Sequence, residues 1–358
     1  MTIPYKLRDW IPERFVCLAA LSNNPRAIRL LEKNQDKINW KKLSFIPEAI
    51  HLLEKNQDKI DWRTLSSNIA AIHLLEKNPD KIDWYRLSSN PAAIQFLEKN
   101  PDKIVWSSFA ENTNPDAMIL FEKHYFKLML YDWHGLCKNP HAMPFIEREW
   151  RVTQSIEWFY KWFCWCCTFS TCCKIQWKSL CLNTNPSAIS LLEKNPDKIY
   201  WEYLSRNPAA IRLLEENPEK ICWSGLSFNT DPGAIHLLEN EIRTNPDNSI
   251  NWNALSQNSG AIHILEKYPN RSLFCIVQNT NPEAMRLIES YCKTRHYIPW
   301  FELLKNPNIF TYDYEEMKET KNRLHEELAR NQFNPLNIEK FEGWGFECGL
   351  ELEDEDDE

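Results

Sequence analysis

The chain has little glycine, seven residues in 358. Loops that cradle phosphates with bare backbone therefore have almost no material. The one close pair, Gly343 and Gly345, follows no strand pattern and opens no helix. Long apolar runs are missing too. No stretch reaches the roughly 18 residues that a membrane-spanning helix needs. Met1 to Leu18 carries Pro4, Asp9, Pro12 and Glu13 and lacks the apolar core of a secretory signal. No nucleophile is patterned with a base, and no pair of carboxylates stands apart from a repeating context. A non-enzymatic protein without a cofactor is therefore expected. Charge of one sign is also scarce outside the last eight residues. Net charge is −8, and Glu351, Glu353, Asp354, Glu355, Asp356, Asp357 and Glu358 carry seven of those negatives. The remainder is near neutral, so no basic platform for nucleic acid is expected.

What the chain does have is tryptophan at a fixed interval. Trp40, Trp62, Trp84 and Trp106 are spaced 22 residues apart. The register extends through Trp133, Trp177, Trp201, Trp223, Trp252 and Trp300, with Leu18 and Leu273 in the same slot. That makes twelve units. The step from Trp133 to Trp177 is 44 residues, so it hides either a decayed thirteenth unit or an insertion of similar length. Ile156-Glu157-Trp158 echoes the unit and favours the decayed repeat.

One unit can be read physically. Asn90 suits an N-cap, and Pro91 suits the first helical position, where its missing N–H is not needed. Ala93, Ile94, Phe96 and Leu97 then form one apolar face. Asn100 can end the helix in the left-handed region, and Pro101 blocks continuation. A second, shorter helix begins at Trp84 with Asp83 as its cap. Asn39, Asp61, Asp132 and Asn251 occupy the same capping place. Neither helix can bury its apolar face alone, so the units must stack. The expected fold is all-α: an α-solenoid of about 12–13 two-helix repeats over residues 1–310. A C-terminal capping helix in 311–346 and an acidic disordered tail at 347–358 follow. Nearly straight, such a stack would span on the order of 100 Å.

The tryptophans read as apolar plugs between hairpins, with the indole N–H on a loop carbonyl. The alternative is an exposed row for stacking. Leu at 18 and 273 keeps apolarity and loses the π face, which favours the plug. His51, His73, His236 and His263 share one variable slot with Arg29, Gln95, Ser190 and Arg212, so repetition aligns them. Glu-Lys recurs at 32–33, 54–55, 76–77 and 98–99, where Lys suits the helix C-terminus. Cys17, Cys137, Cys181, Cys222 and Cys275 fall in repeat slots and read as small buried hydrophobes. Without a secretory signal, a reducing compartment is expected.

Residues 148–174 break the pattern with dense aromatics and Cys164, Cys166, Cys167, Cys172 and Cys173. Three readings stay open there: a diverged hairpin packed into the core, a membrane-interface or acylated patch over 156–173, and a thiolate metal site. The paired Cys-x-x-Cys spacing that would make zinc specific is absent.

The unit Asn185-Pro186-Ser187-Ala188-Ile189-Ser190-Leu191-Leu192-Glu193-Lys194-Asn195-Pro196-Asp197-Lys198-Ile199-Tyr200-Trp201 resembles tandem repeats found in large paralogous sets in giant DNA viruses of protists. The opening Lys6-Leu7-Arg8-Asp9-Trp10-Ile11-Pro12 and the closing Phe333-Asn334-Pro335-Leu336-Asn337-Ile338 with Trp344-Gly345 are similar to the ends of that family. The resemblance covers nearly the whole chain except 148–174. It implies a viral repeat protein of the host cytoplasm or the virion and supplies no catalytic residue. The expected role is a scaffold for a protein partner. A virion structural component and a membrane-associated adaptor are the alternatives.

Overall fold

A computed structural model describes residues 4–124, 133–163, 175–245, 250–269, 274–294 and 298–332; side chains are described for these except 155–163, 325 and 327–332. The chain divides into two compact units, Arg8–Ile309 and a smaller one formed by Met1–Leu7 with Phe310–Glu358.

The larger body is the repeat, an all-α stack. Each regular unit has four short pieces. A one-turn helix starts on the Trp itself, as in Trp62–Leu65 and Trp84–Ser88. A 3-10 turn over Pro-x-Ala then leads into a helix such as Ile94–Lys99. A second 3-10 turn over Pro-Asp-Lys, such as Pro101–Lys103, returns the chain to the next Trp. We call the two helices the Trp helix and the Leu helix. Both predicted caps are present. The Asn90 side chain accepts from the Ala92 amide, and Asn39, Asp61, Asp83 and Asn251 each accept from the amide three residues on. Asn100 departs from the expectation: its φ of −129° is not left-handed. It ends the helix through its side chain, whose Nδ2 donates to the Phe96 carbonyl at 2.9 Å.

The ends of the stack meet. Asn24 in unit 1 donates from Nδ2 to the carbonyls of Leu304 and Asn306 in unit 12, both at 3.0 Å. Arg26 Nη1 donates to the Pro307 carbonyl at 3.2 Å and to Asn308 Oδ1 at 3.1 Å. The Phe15 ring stacks on Trp300 at 4.6 Å between centroids. The repeat body is therefore a closed ring of twelve units, not the open rod of about 100 Å that stacking distances alone suggest. The apolar end that a terminal cap would have covered is taken by the first unit.

The 44-residue step is an insertion. Asn183 in unit 7 donates to the carbonyls of Cys137 and Asn139 in unit 6, so the two units stack directly. No thirteenth unit stands between them, which corrects the decayed-repeat reading. The Leu helix of unit 6 runs on from Met143 to Phe163, 21 residues.

In the smaller unit, β1 (Tyr5–Leu7) pairs antiparallel with β2 (Phe310–Tyr312), with Tyr5 opposite Tyr312. Asp313 then caps a 19-residue helix, Tyr314–Gln332, through the Glu316 amide at 3.1 Å. The acidic tail lies outside the described residues.

Candidate functional site

A buried asparagine ladder organises every surface of the ring. Eleven of the twelve units place an Asn at the position before the Pro turn or its equivalent: Asn24, Asn68, Asn90, Asn112, Asn139, Asn183, Asn207, Asn229, Asn258, Asn279 and Asn306, all 5% exposed or less. Oδ1 caps the unit's own turn, and Nδ2 donates to backbone carbonyls of the unit before. Asn112, for example, reaches the carbonyls of Ser88 at 2.9 Å and Asn90 at 3.0 Å. Asn is required because it offers an acceptor and two donors on a short stem. Ile46 stands in the twelfth place, leaving a single gap in the ladder. Where Asn-Thr-Asn-Pro replaces Asn-Pro, the second Asn becomes the cap and adds a rung: Asn114 Nδ2 donates to the Pro91 carbonyl at 2.8 Å.

A second tie runs through the Ser after the Trp-helix Leu. Ser66 Oγ donates to the Trp62 carbonyl at 2.9 Å and accepts from the Asp83 amide of the next unit at 3.0 Å. Cys137 and Cys181 take the same slot and accept through sulfur from the amides of Gln176 and Tyr200, at 3.3 and 3.4 Å. These two are the buried hydrophobes expected from sequence, but they also serve as acceptors, whereas Cys17 is exposed and Cys222 and Cys275 are only half-buried. Burial pushes the Cys181 thiol up against the opposing Tyr200 amide. Burial, with the Glu289 charge, raises Cys292 to about 11. Both are neutral thiols at pH 7, unlike the thiolates that bind metals or react.

The tryptophans are spread between two environments. Trp133 is 1% exposed. The other nine repeat tryptophans, Trp40, Trp62, Trp84, Trp106, Trp177, Trp201, Trp223, Trp252 and Trp300, are half-buried. Two of them are covered by a cation of their own unit: Lys59 lies over Trp40 at 4.9 Å and Lys81 over Trp62 at 4.4 Å.

Two belts of side chains face outward. On the Leu-helix belt the variable slot pairs with the helix-end Glu of the preceding unit. His51 meets Glu32 at 2.5 Å, His73 meets Glu54 at 2.7 Å and Arg286 meets Glu266 at 3.4 Å; Arg212 pairs with Glu193 in the same way. His51, His73 and His263 thus reach the neighbouring unit, whereas His236 meets Asn240 on its own helix.

The Trp-helix belt is different. Its more exposed positions, the first and fifth after Trp, together with the half-buried or buried second, carry Lys41, Lys42, Arg63, Arg86, Lys138, Lys178, Arg206 and Lys305 against Glu111, Glu202 and Glu302. Several of these cations sit over aromatic rings. Lys42 and Lys305 both lie 4.7 Å from the Phe301 ring, Lys178 is 5.2 Å from Tyr200, and Arg206 is 4.9 Å from Phe228. Phe45, Tyr85, Phe228 and Phe301 remain 46–60% exposed. Trp helices pack against one another around the ring, and a Cβ on Gly225 would come within 2.7 Å of the Glu202 carbonyl, so the belt is continuous across units.

The inserted helix adds a cleft of about 510 Å³ between Glu147, Trp150, Arg151 and Gln154 and the Leu helix of unit 7. Trp150 meets Trp177 edge-on at 5.2 Å. Cys164, Cys166, Cys167, Cys172 and Cys173 lie outside the described residues. Among the described residues no three His, Cys, Asp or Glu side chains are grouped to hold a metal, and no helix is long and apolar enough to cross a membrane. No family model, curated protein or solved structure matches this chain.

Proposed function

We propose that this chain is a non-catalytic ring scaffold that holds a protein partner on its Trp-helix belt. The observation that carries this reading is the contrast between the belts. The Leu-helix belt pairs Lys123, Arg212 and Arg286 with carboxylates one unit away, whereas the Trp-helix belt, where Arg63, Arg206 and Lys305 also meet carboxylates, sets exposed aromatic rings beside its cations. Aromatic and cationic side chains at fixed positions on a rigid frame lose little entropy on binding, which is what an interaction surface needs. The repeat's resemblance to those of giant DNA viruses supports a viral source, with the ring acting in the host cytoplasm or the particle.

A photocrosslinking residue placed at Tyr85 or Phe228 should give a discrete adduct in producing cells, and the same residue at Gln95 or His236 should not. Equal labelling from both belts, or none from either, would sink the proposal.

A further inference from the structure

We infer that the Trp-helix belt recognises an acidic polypeptide segment; this rests on the scaffold reading above. Lys138, Lys178 and Arg206 lie at exposed positions of three consecutive units, the fifth, first and fifth after Trp. Lys178 is held over Tyr200 and Tyr203, at 5.2 and 6.0 Å, and Arg206 over Phe228 at 4.9 Å. A ring face fixes a cation without neutralising it. The cation keeps its full charge and points its remaining donors at solvent, where a carboxylate can accept them. Glu202 contacts Arg206 at a loose 3.5 Å and is 61% exposed, so a better-placed carboxylate can displace it.

Two features of the same belt favour carboxylates over a phosphate backbone. Glu111, Glu202 and Glu302 interrupt the run of positive charge, which breaks a continuous phosphate track. The rings at Tyr203, Phe228 and Phe301 are already covered by cations, so they offer less face for bases to stack on.

The test is fluorescence anisotropy on the full chain with three labelled probes: a twelve-residue Glu/Asp peptide, a twelve-residue Gly/Ser peptide and a twelve-nucleotide oligothymidine. The acidic peptide should bind and the other two should not. The triple variant Lys138→Gln/Lys178→Gln/Arg206→Gln should weaken it about tenfold, because exposed pairs each contribute little and are screened by salt. The control Lys123→Gln/Arg212→Gln/Arg286→Gln, on the other belt, should leave it unchanged. Circular dichroism establishes that both variants fold. Absent binding of the acidic peptide, binding indifferent to the first triple, or tighter oligothymidine binding overturns the inference. The crosslink from Tyr85 persisting in the first triple, with no acidic-peptide binding, would leave the scaffold standing and remove only the acidic chemistry.

Discussion

Between units 3 and 4 the chain runs through; between units 12 and 1 it does not, yet both junctions are built on the same asparagine. Asn90 reaches the carbonyls of Ser66 and Asn68 at 3.2 and 3.1 Å. Asn24 reaches those of Leu304 and Asn306 at 3.0 Å each. The difference lies in what surrounds the rung. A regular junction is tethered by one 22-residue unit, whereas the closing junction joins residues 280 apart in sequence. For a flexible chain that separation costs about 2 kcal/mol more in loop closure. The closing junction adds the Phe15–Trp300 stack and the Arg26 and Arg8 hydrogen bonds to Pro307 and Asn308. Charged donors contribute about 1.5–3 kcal/mol each, enough to offset the missing tether. The remaining requirement is curvature, and the ladder supplies it by repeating one geometry at each junction.

The widest gap between the two junctions should open when the closing one is broken. The double variant Phe15→Ala/Asn24→Ala removes the stack and the rung together. Losses of about 5 kcal/mol are expected at that junction from cavity formation and orphaned carbonyls. Amide exchange should rise in both unit 1 and unit 12, and the radius of gyration from small-angle scattering should grow as the ring becomes an arc. Exchange confined to unit 1 with an unchanged radius would mean that the ring is not closed in solution.

Asn90→Ala probes the tethered junction. It strips the Ala92 amide of its acceptor, the Ser66 carbonyl of its side-chain donor and the Asn68 carbonyl of one of two donors, the Ala71 amide being the other. The expected cost is about 3 kcal/mol in urea unfolding, with the radius unchanged because the chain still links the units. A loss below about 1 kcal/mol would show that the ladder is incidental to stability.

The unit was legible in sequence because its signals are local. Asp83, Asn39 and Asn90 announce caps within three residues of the amides they serve, and Pro91 sits where a helix can start. The ladder was only half legible. Asn90 satisfies a cap with Oδ1, and nothing local reveals that Nδ2 spans to the unit before. Closure was not legible at all. Units 1 and 12 carry the same Asn as the interior units other than unit 2, so the pattern of an open stack and a closed one is the same. The insertion after Met143 stayed ambiguous because a step of two periods preserves register, and only the direct Asn183–Asn139 rung decides it. The belts were hidden because the residues that make them recur at separate slots and meet only across units.

Ile46 offers a milder test of what the rung contributes. It is 6% exposed and occupies the ladder position at the junction between units 1 and 2. Ile46→Asn should gain hydrogen bonds to unit 1 worth about 2 kcal/mol and lose a similar amount of apolar burial. Unfolding free energy should therefore stay within about 1 kcal/mol of the parent. A loss above 3 kcal/mol would mean that the local geometry has diverged and that this junction is not equivalent to the others.

The smallest effect concerns the Trp-helix caps, where Asp61 and Asn39 do the same work with different charge. Burial pushes the Asp61 carboxyl up, but hydrogen bonds from the Thr64 side chain and amide, with the charges of Lys41 and Arg86, outweigh it and hold the carboxyl below its usual range. A depressed carboxyl stabilises the fold above the unfolded-state value near 4 and loses that contribution as pH falls through the folded-state value. Asp61→Asn keeps the cap, since Asn serves equally well there, and removes the charge. The variant should be slightly less stable than the parent at pH 7, and the difference should shrink as pH drops below about 4. Urea unfolding at both pH values checks it: a difference that does not change with pH would show that the cap acts through geometry alone and that the neighbouring cations do not sense the charge.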